Sequence, residues 1–173
     1  NAIKQATVDG QNGFSYQICP SDQCTGCFAC MNKCPKAAIS CVTDVYGRTV
    51  PQINPVACIR CGLCKKVCPQ LHAVKKTMPI LCYAAQRTKE DEKIYSSSGG
   101  VGAVLAEQFL SDGDVVYGAA VNAEGNVCHM CAESQEEGKK FRGSKYVQSY
   151  IGQSYGDAKR QLESGRSVLF TGT

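Results

Sequence analysis

Eight of the thirteen cysteines in this 173-residue chain fall into two runs with identical spacing. Each run reads C-x2-C-x2-C-x3-C followed by proline, and the second lies 34 positions after the first. Closely spaced thiols can form disulfides, bind zinc or hold iron–sulfur clusters, so the spacing decides the chemistry. The eight residues are Cys24, Cys27, Cys30, Cys34, Cys58, Cys61, Cys64 and Cys68.

The spacing favours iron–sulfur clusters over the two alternatives. Zinc prefers C-x2-C pairs separated by longer loops, whereas each run here has three cysteines in a burst and a fourth close behind. Disulfides between neighbours in such a run are strained, and the chain shows no export signal. The run with its trailing proline is the ligand set of bacterial ferredoxins with 4Fe–4S clusters. Two such clusters are therefore predicted.

The doubled run resembles the two-cluster bacterial ferredoxins, in which the fourth cysteine of each run binds the other cluster. By this resemblance, Cys24, Cys27, Cys30 and Cys68 hold the first cluster, and Cys58, Cys61, Cys64 and Cys34 hold the second. The resemblance also implies a ferredoxin-like domain over residues 19–77, built as a pair of β-α-β units around the clusters.

Five cysteines lie outside the runs. We expect Cys19, Cys41 and Cys82 to be small core residues, the first two beside a cluster and the third in a buried strand. Cys128 and Cys131 lie in a segment that reads as a strand, where residues three apart point to opposite faces. This geometry disfavours a metal or redox role for the pair, which stays open as an alternative.

The charge is divided unevenly along the chain. Residues 1–80 hold nine Lys and Arg against three Asp and Glu, and residues 81–173 hold ten against twelve. An oxidised cluster with four thiolates carries a charge of about −2, so the basic half is partly a counter-charge and no nucleic-acid partner is needed. A cluster of lysines could dock an acidic redox partner or be an ordinary solvated surface. These lysines are Lys65, Lys66, Lys75 and Lys76.

The second half of the sequence is typical of an α/β domain with a mixed sheet, over residues 80–173. Strands are predicted at 80–87, 115–121, 126–132 and 167–170, and helices at 101–110 and from 154 to 165. In the first helix, Val101, Val104, Leu105 and Phe109 share one face at helical spacing. No apolar run of eighteen residues occurs, so we expect no membrane span and a cytoplasmic protein.

Two segments of this half could carry chemistry. The turn at 96–100, Ser-Ser-Ser-Gly-Gly, opens a helix and can point backbone N–H groups at a phosphate, although such turns also simply cap helices. Lys145, near Tyr146 and Gln148, could contact a second phosphate or an aromatic ring, or belong to an ordinary surface loop.

The order of motifs resembles the coenzyme F(420) hydrogenase/dehydrogenase β-subunit family of iron–sulfur flavoproteins. The strings S-S-G-G at 97–100 and G-S-K-Y-V-Q-S at 143–149 carry the resemblance. It implies an FAD in the α/β part, a small-molecule hydride donor or acceptor, and an anaerobic source. We expect the chain to end before the family's Pro-Cys-Gln segment, leaving the flavin domain truncated. The implied flavin contacts are Ser97, Ser98, Gly99, Gly100, Lys145, Tyr146, Gln148, Ser149, Gly172 and Thr173.

Three functional hypotheses follow. The first is a flavin-dependent oxidoreductase whose clusters pass single electrons to a protein partner, a ferredoxin or an oxidoreductase subunit. The second is a ferredoxin-like electron-transfer module without an active site of its own. The third is a sensor or scaffold in which the clusters are structural. The fold class that all three share is α+β, a two-cluster ferredoxin-like module followed by a flavin-type domain, and no catalytic residue is identifiable.

Overall fold

The computed structural model describes residues 15–72, 75–89 and 94–172, and the chain divides into two compact units between Thr77 and Met78. One predicted flavin contact, Thr173, lies outside the described residues. No helix in the described ranges has the length and apolar content that crossing a bilayer requires.

The first unit is organised around a β-hairpin. Strands β1 (Ile39–Thr43) and β2 (Thr49–Ile53) pair antiparallel, with Ile39 opposite Ile53. The turn between them is held by Asp44, whose carboxylate accepts hydrogen bonds from the backbone N–H groups of Tyr46 and Arg48, each at 2.9 Å. The hairpin places two isoleucines in a core that otherwise consists largely of sulfur side chains.

Two short helices, one in each cysteine run, pack against each other in this unit. They are α1 (Ala29–Lys33) and α2 (Leu63–Lys66), and each begins directly after a residue with left-handed backbone, Phe28 or Gly62. The hairpin and both helices agree with the inner elements of the predicted β-α-β pair. The outer strands of the predicted β-α-β pair are not among the strands found between residues 15 and 72.

The second unit is a three-stranded mixed sheet with a helix on each face. The strands are β3 (Val115–Val121), β4 (Val127–Ala132) and β5 (Val168–Phe170), in the order β4-β3-β5. β3 pairs antiparallel with β4 and parallel with β5. Hydrophobic burial on both faces explains why β3 reads as a nearly continuous apolar run.

Two helices cover the faces of this sheet. Helix α3 (Val101–Ser111) packs Ala106 and Leu110 on one face, and α5 (Ser154–Glu163) packs Ala158 on the other. A short helix α4 (Gln135–Gly138) and a 3-10 turn at Lys139–Phe141 complete the α3 side.

Gly118, in the middle of β3, has no space for a side chain. A Cβ at this position would lie 2.7 Å from Cγ of Phe141 and 3.0 Å from Oγ1 of Thr171. The glycine therefore lets the 3-10 turn and the end of β5 approach the central strand closely.

The structure corrects three of the predictions for this half. Residues 80–87 form no strand, and their apolar side chains face solvent, with Ile80 96% exposed. Cys82 is likewise exposed and is not a core residue. In α3 the predicted apolar face is wrong for Val101, Val104 and Leu105, which are exposed. Of that face only Phe109 packs inward, against the buried Ala106 and Leu110.

Candidate functional site

Each cysteine run contributes to two separate cavities in the first unit. The walls of one cavity include Cys24, Cys27, Cys30 and Cys68. The fourth of these comes from the second run, so the set matches the predicted ligands of the first cluster. Their thiols are half-buried or buried.

The second cavity is lined by three cysteines of the second run and one of the first. Its walls include Cys34, Cys58, Cys61 and Cys64, of which the first comes from the opposite run. Cys61 is exposed and Cys64 is buried. The fold thus brings together the eight cysteines in the two interleaved sets that the resemblance to two-cluster ferredoxins implies.

The local backbone explains how three cysteines of one run face one cavity. Phe28 and Gly62 adopt left-handed backbone, with φ of 54° and 73°, directly after the second cysteine of each run. The third cysteine then enters a helical turn while the first two stay on the preceding loop. Two backbone N–H groups donate hydrogen bonds to cysteine sulfurs. The N–H of Ala38 donates to Sγ of Cys34 at 3.3 Å, and the N–H of Arg60 donates to Sγ of Cys58 at 3.4 Å.

The donor sets suit iron–sulfur clusters. Four sulfur ligands per site and N–H donors aimed at the sulfurs are the usual environment of a 4Fe–4S cluster. Within the described ranges, no three Cys, His, Asp or Glu side chains converge as they would around a single metal ion. Burial raises the pKa of the Cys30 thiol to about 12 and also raises that of Cys64, so at these positions a metal must drive deprotonation.

Cys19 and Cys41 pack close to the first run, as expected. Cys19 is buried and lines the first cavity, where burial raises the pKa of its thiol to about 12. Cys41 lies on β1, with its Sγ 3.8 Å from the sulfur of Met31. Of the remaining pair, Cys131 lies opposite Tyr117 in the sheet and its Sγ donates to the carbonyl oxygen of Ala132 at 3.9 Å. Burial raises the pKa of both Cys131 and Tyr117.

A larger cleft of about 390 Å³ lies in the second unit, on the α3 face of the sheet. This volume is within the range of small-molecule sites. Residues 96–100 and the first turn of α3 form one wall, and Phe141, Arg142 and Ser144 form part of the other. The two walls are joined by the backbone N–H of Ser144, which donates to Oγ of Ser97 at 2.9 Å.

The cleft contains part of the predicted flavin set. Ser97, Ser98, Gly99 and Gly100 line it, together with Thr171 at the end of β5. Gly100 has φ of 77°, and a Cβ on Gly99 would lie 2.7 Å from the carbonyl oxygen of Ala85, so both glycines are required by the backbone.

The other predicted contacts lie outside the cleft lining. They are Lys145, Tyr146, Gln148, Ser149 and Gly172. Lys145 uses its ammonium to brace its own loop, donating to the carbonyl oxygens of Lys140 at 3.0 Å and Arg142 at 2.9 Å. Burial lowers its pKa. Tyr146 is 92% exposed.

His129 organises two of these outlying contacts, and sequence reasoning did not single it out. Its Nδ1 lies 2.9 Å from Oγ of Ser149, and its Nε2 lies 3.0 Å from the carbonyl oxygen of Thr171. Because a carbonyl only accepts, Nε2 carries the proton and Nδ1 accepts from the serine hydroxyl. A Cβ on Gly172 would lie 2.8 Å from this Nε2, so only glycine fits there. In the sequence, His129 is only a histidine on a predicted strand, and that pattern alone does not indicate a function.

An ion-pair network stands at the edge of the cleft. The carboxylate of Glu107, on α3, accepts from the buried guanidinium of Arg87 at 2.9 Å and from that of Arg142 at 2.8 Å. Hydrogen bonds from Arg87 and then from Arg142 hold the pKa of Glu107 below its ordinary value of 4.5. The network ties residue 87, α3 and the 142–144 wall together.

Comparison with known proteins identifies the first unit. Residues 23–71 match the family described as the 4Fe-4S dicluster domain. A polyferredoxin-like protein of Methanocaldococcus jannaschii is 35% identical over 65 residues, covering 33% of this chain and 39% of that protein. A ferredoxin-like protein of Haemophilus influenzae is 33% identical over 61 residues, covering 32% of this chain and 65% of that protein. The chain thus spans less than two thirds of either relative.

These matches, with the cysteine cavities, establish an iron–sulfur, ferredoxin-like electron-transfer module in the first part of the chain. The family match at residues 23–71 does not extend to the cleft of the second unit.

We predict that Glu107→Gln lowers the stability of the second unit by roughly 1 kcal/mol at pH 7, because two guanidinium groups lose their carboxylate partner. The pKa of Glu107 is lowered in the folded protein, so its contribution is complete above about pH 4.5 and is lost as the pH falls through the folded pKa. Hydrogen exchange of amides in α3 and β3 measures the change.

Glu163→Gln is the control, since its pair with Lys159 spans 3.4 Å between two exposed side chains. We expect almost no effect from it. A difference between wild type and Glu107→Gln that is the same at pH 7 and pH 3.5 would contradict the assignment.

Proposed function

We propose that the protein is a cytoplasmic iron–sulfur flavoprotein that passes electrons between an FAD in the second unit and a redox partner protein. The observation that carries the flavin part is the cleft of about 390 Å³ at the start of α3, with the Ser-Gly loop on its wall. The cluster part rests on the interleaved cysteine cavities.

The proposed cluster ligands are the two cavity sets. Cys24, Cys27, Cys30 and Cys68 hold the first 4Fe–4S cluster, and Cys34, Cys58, Cys61 and Cys64 hold the second. When bound, the clusters supply one-electron transfer. The chain's own work is to bury part of each ligand set, to aim N–H groups at the sulfurs and to exclude bulk water, and these factors set the potentials.

The cleft suits the pyrophosphate of a dinucleotide at one end. Helix α3 has eleven residues, so its N-terminus carries a partial positive charge next to residues 97–100. Oγ of Ser98, which lines the cleft, can donate to a phosphate oxygen. Arg142 and Lys139 also line the cleft, and they are paired with the carboxylates of Glu107 and Glu136 respectively. A bound flavin supplies two-electron chemistry with an organic substrate.

The outlying contacts take indirect roles in this proposal. Lys145 fixes the loop that carries Arg142 and Ser144 to the cleft, and His129 fixes Ser149 together with the end of β5. Tyr146, Gln148 and Gly172 stay proposed contacts because they flank these fixed points.

The second candidate is a ferredoxin-like electron-transfer module without a flavin. It is favoured by the comparisons, because the family match lies within residues 23–71 and both relatives are named for ferredoxin-like character. It predicts reversible reduction of the clusters with no retention of FAD after anaerobic reconstitution.

We predict that paired cysteine variants reveal the interleaved ligation. Cys27→Ala with Cys68→Ala removes two ligands of one cluster, so iron should fall from about eight atoms to about four per chain. Cys27→Ala with Cys34→Ala removes one ligand from each cluster and should leave little iron. Iron and sulfide analysis after anaerobic reconstitution measures both.

The control is Cys41→Ala, which should retain all the iron because Cys41 lines neither cavity. The reverse pattern, with iron retained in the Cys27–Cys34 pair and lost in the Cys27–Cys68 pair, would mean that each run binds its own cluster.

We predict that Gly102→Glu abolishes FAD binding without destabilising the second unit. Gly102 lines the cleft in the first turn of α3, and a Cβ there would meet no atom within 4 Å. A carboxylate near a helix N-terminus is compatible with the helix but repels a phosphate. Equilibrium dialysis with FAD and hydrogen exchange of α3 are the two measurements.

Gly102→Gln is the matched control, with the same shape and no charge. If Gly102→Glu and Gly102→Gln bind FAD equally, the pyrophosphate does not sit at this helix. If wild type retains no flavin while both clusters form, the electron-transfer module is the better description.

A further inference from the structure

The two cysteine loops have the same left-handed backbone at two equivalent positions. Glycine occupies one of these positions in the first loop and the other position in the second loop. Residues 26 and 28 of the first loop correspond to residues 60 and 62 of the second, 34 positions later. All four have left-handed backbone, with φ of 64° and 54° in the first loop and 55° and 73° in the second. The first loop has glycine then phenylalanine, and the second has arginine then glycine.

Left-handed backbone is unfavourable for residues other than glycine, so Phe28 and Arg60 are each held there at a cost in free energy. Glycine would be free of that cost, and the other loop uses glycine at the equivalent position. A strained residue that persists beside a functional site points to a role for its side chain.

The two side chains have different effects on their cavities. Phe28 is only 2% exposed and lines the first cavity. Among the residues that the structure describes, the lining of this cavity includes the buried Ile18 and Cys19 and no charged side chain. Gly62 lines the second cavity, and a Cβ there would meet no atom within 4 Å. One site is therefore covered by an aromatic ring where the other has no side chain.

The second cavity also opens among positive and apolar groups. Lys36 and Ile59 line it, Ile59 is 56% exposed, and Arg60 and Cys61 are exposed beside them. Arg60 lies with its guanidinium carbon 6.0 Å from the ring centroid of Tyr16, which orients the charge. An apolar centre with a positive rim suits a transient partner with carboxylates around an apolar patch.

We infer that the second cysteine site is the port where this protein exchanges electrons with an acidic protein partner, and that Phe28 shields the first site. The inference rests on the proposed clusters and is independent of the flavin. The step is a one-electron transfer: one site loses an electron and the partner's acceptor gains it, with no bond made or broken.

The positive rim of Lys36 and Arg60 can be tested with charged oxidants. The protein is first loaded with clusters but no flavin and is reduced anaerobically. With the anion [Fe(EDTA)]⁻, Arg60→Glu should slow oxidation about tenfold at low ionic strength. With the cation [Co(NH3)6]³⁺ it should accelerate oxidation, and both effects should vanish at high salt. Lys36→Glu should act in the same direction, which keeps the test open if Arg60→Glu loads clusters poorly.

Lys159→Glu is the matched control, because it changes the net charge equally at an exposed position on α5. If Lys159→Glu changes the rates as much as Arg60→Glu and Lys36→Glu, only net charge matters and the port assignment fails.

The shielding by Phe28 is tested by measuring the reduction potentials of the clusters in an EPR-monitored redox titration. These potentials do not depend on turnover. Water stabilises the more negative reduced cluster, so exposure raises a cluster's potential. Phe28→Gly should raise one potential, and Gly62→Phe should lower the other. If neither variant shifts a potential, the inference is overturned. Wild type without clusters would instead contradict the proposed function, so the two failures are distinguishable.

Discussion

The first unit depends on the convergence of eight thiols around two cavities. Its core has few large apolar side chains, with Ile18, Ile39 and Ile53 packed among cysteines, and the chain has no tryptophan. Metal binding in such a unit contributes directly to folding free energy, because the ligand set exists only in the folded chain. The exchange of Cys34 and Cys68 between the runs makes each site depend on both halves of the unit.

The duplication that builds this unit also allows the two sites to differ. The loops share left-handed backbone at equivalent positions, so a side chain can be exchanged without altering how the cysteines are presented. Phe28 covers one site, while Gly62 and Arg60 leave the other open and positive. Equal ligands with unequal surroundings are sufficient to give two clusters different potentials and different access.

Parts of this structure were predictable from sequence because the signals are local. The cysteine spacing predicts two clusters, and the resemblance to two-cluster ferredoxins implies which thiols share a cavity. The apolar run of Val115–Val121 is typical of a buried strand. The failures are tertiary in origin. Residues 80–84 have strand composition, but nothing in the composition says whether another strand pairs with them, and they are exposed. In α3 the valines are more hydrophobic than Ala106, so an apolar pattern places the valines on the inner face. In the structure Ala106 is the residue that packs in the buried cluster.

The same distinction applies to the candidate sites. The Ser-Gly loop could be placed at a ligand cleft from its residue types, whereas Lys145 turns inward to its own loop and His129 acts through contacts 20 and 42 positions away in sequence. Native mass spectrometry of the anaerobically reconstituted protein tests the central claim most directly. A mass increase equal to two Fe4S4 cores, absent from a variant lacking Cys27 and Cys34, is the predicted result. An increase equal to zinc ions, or a decrease of two hydrogens per disulfide with no added metal, would contradict it.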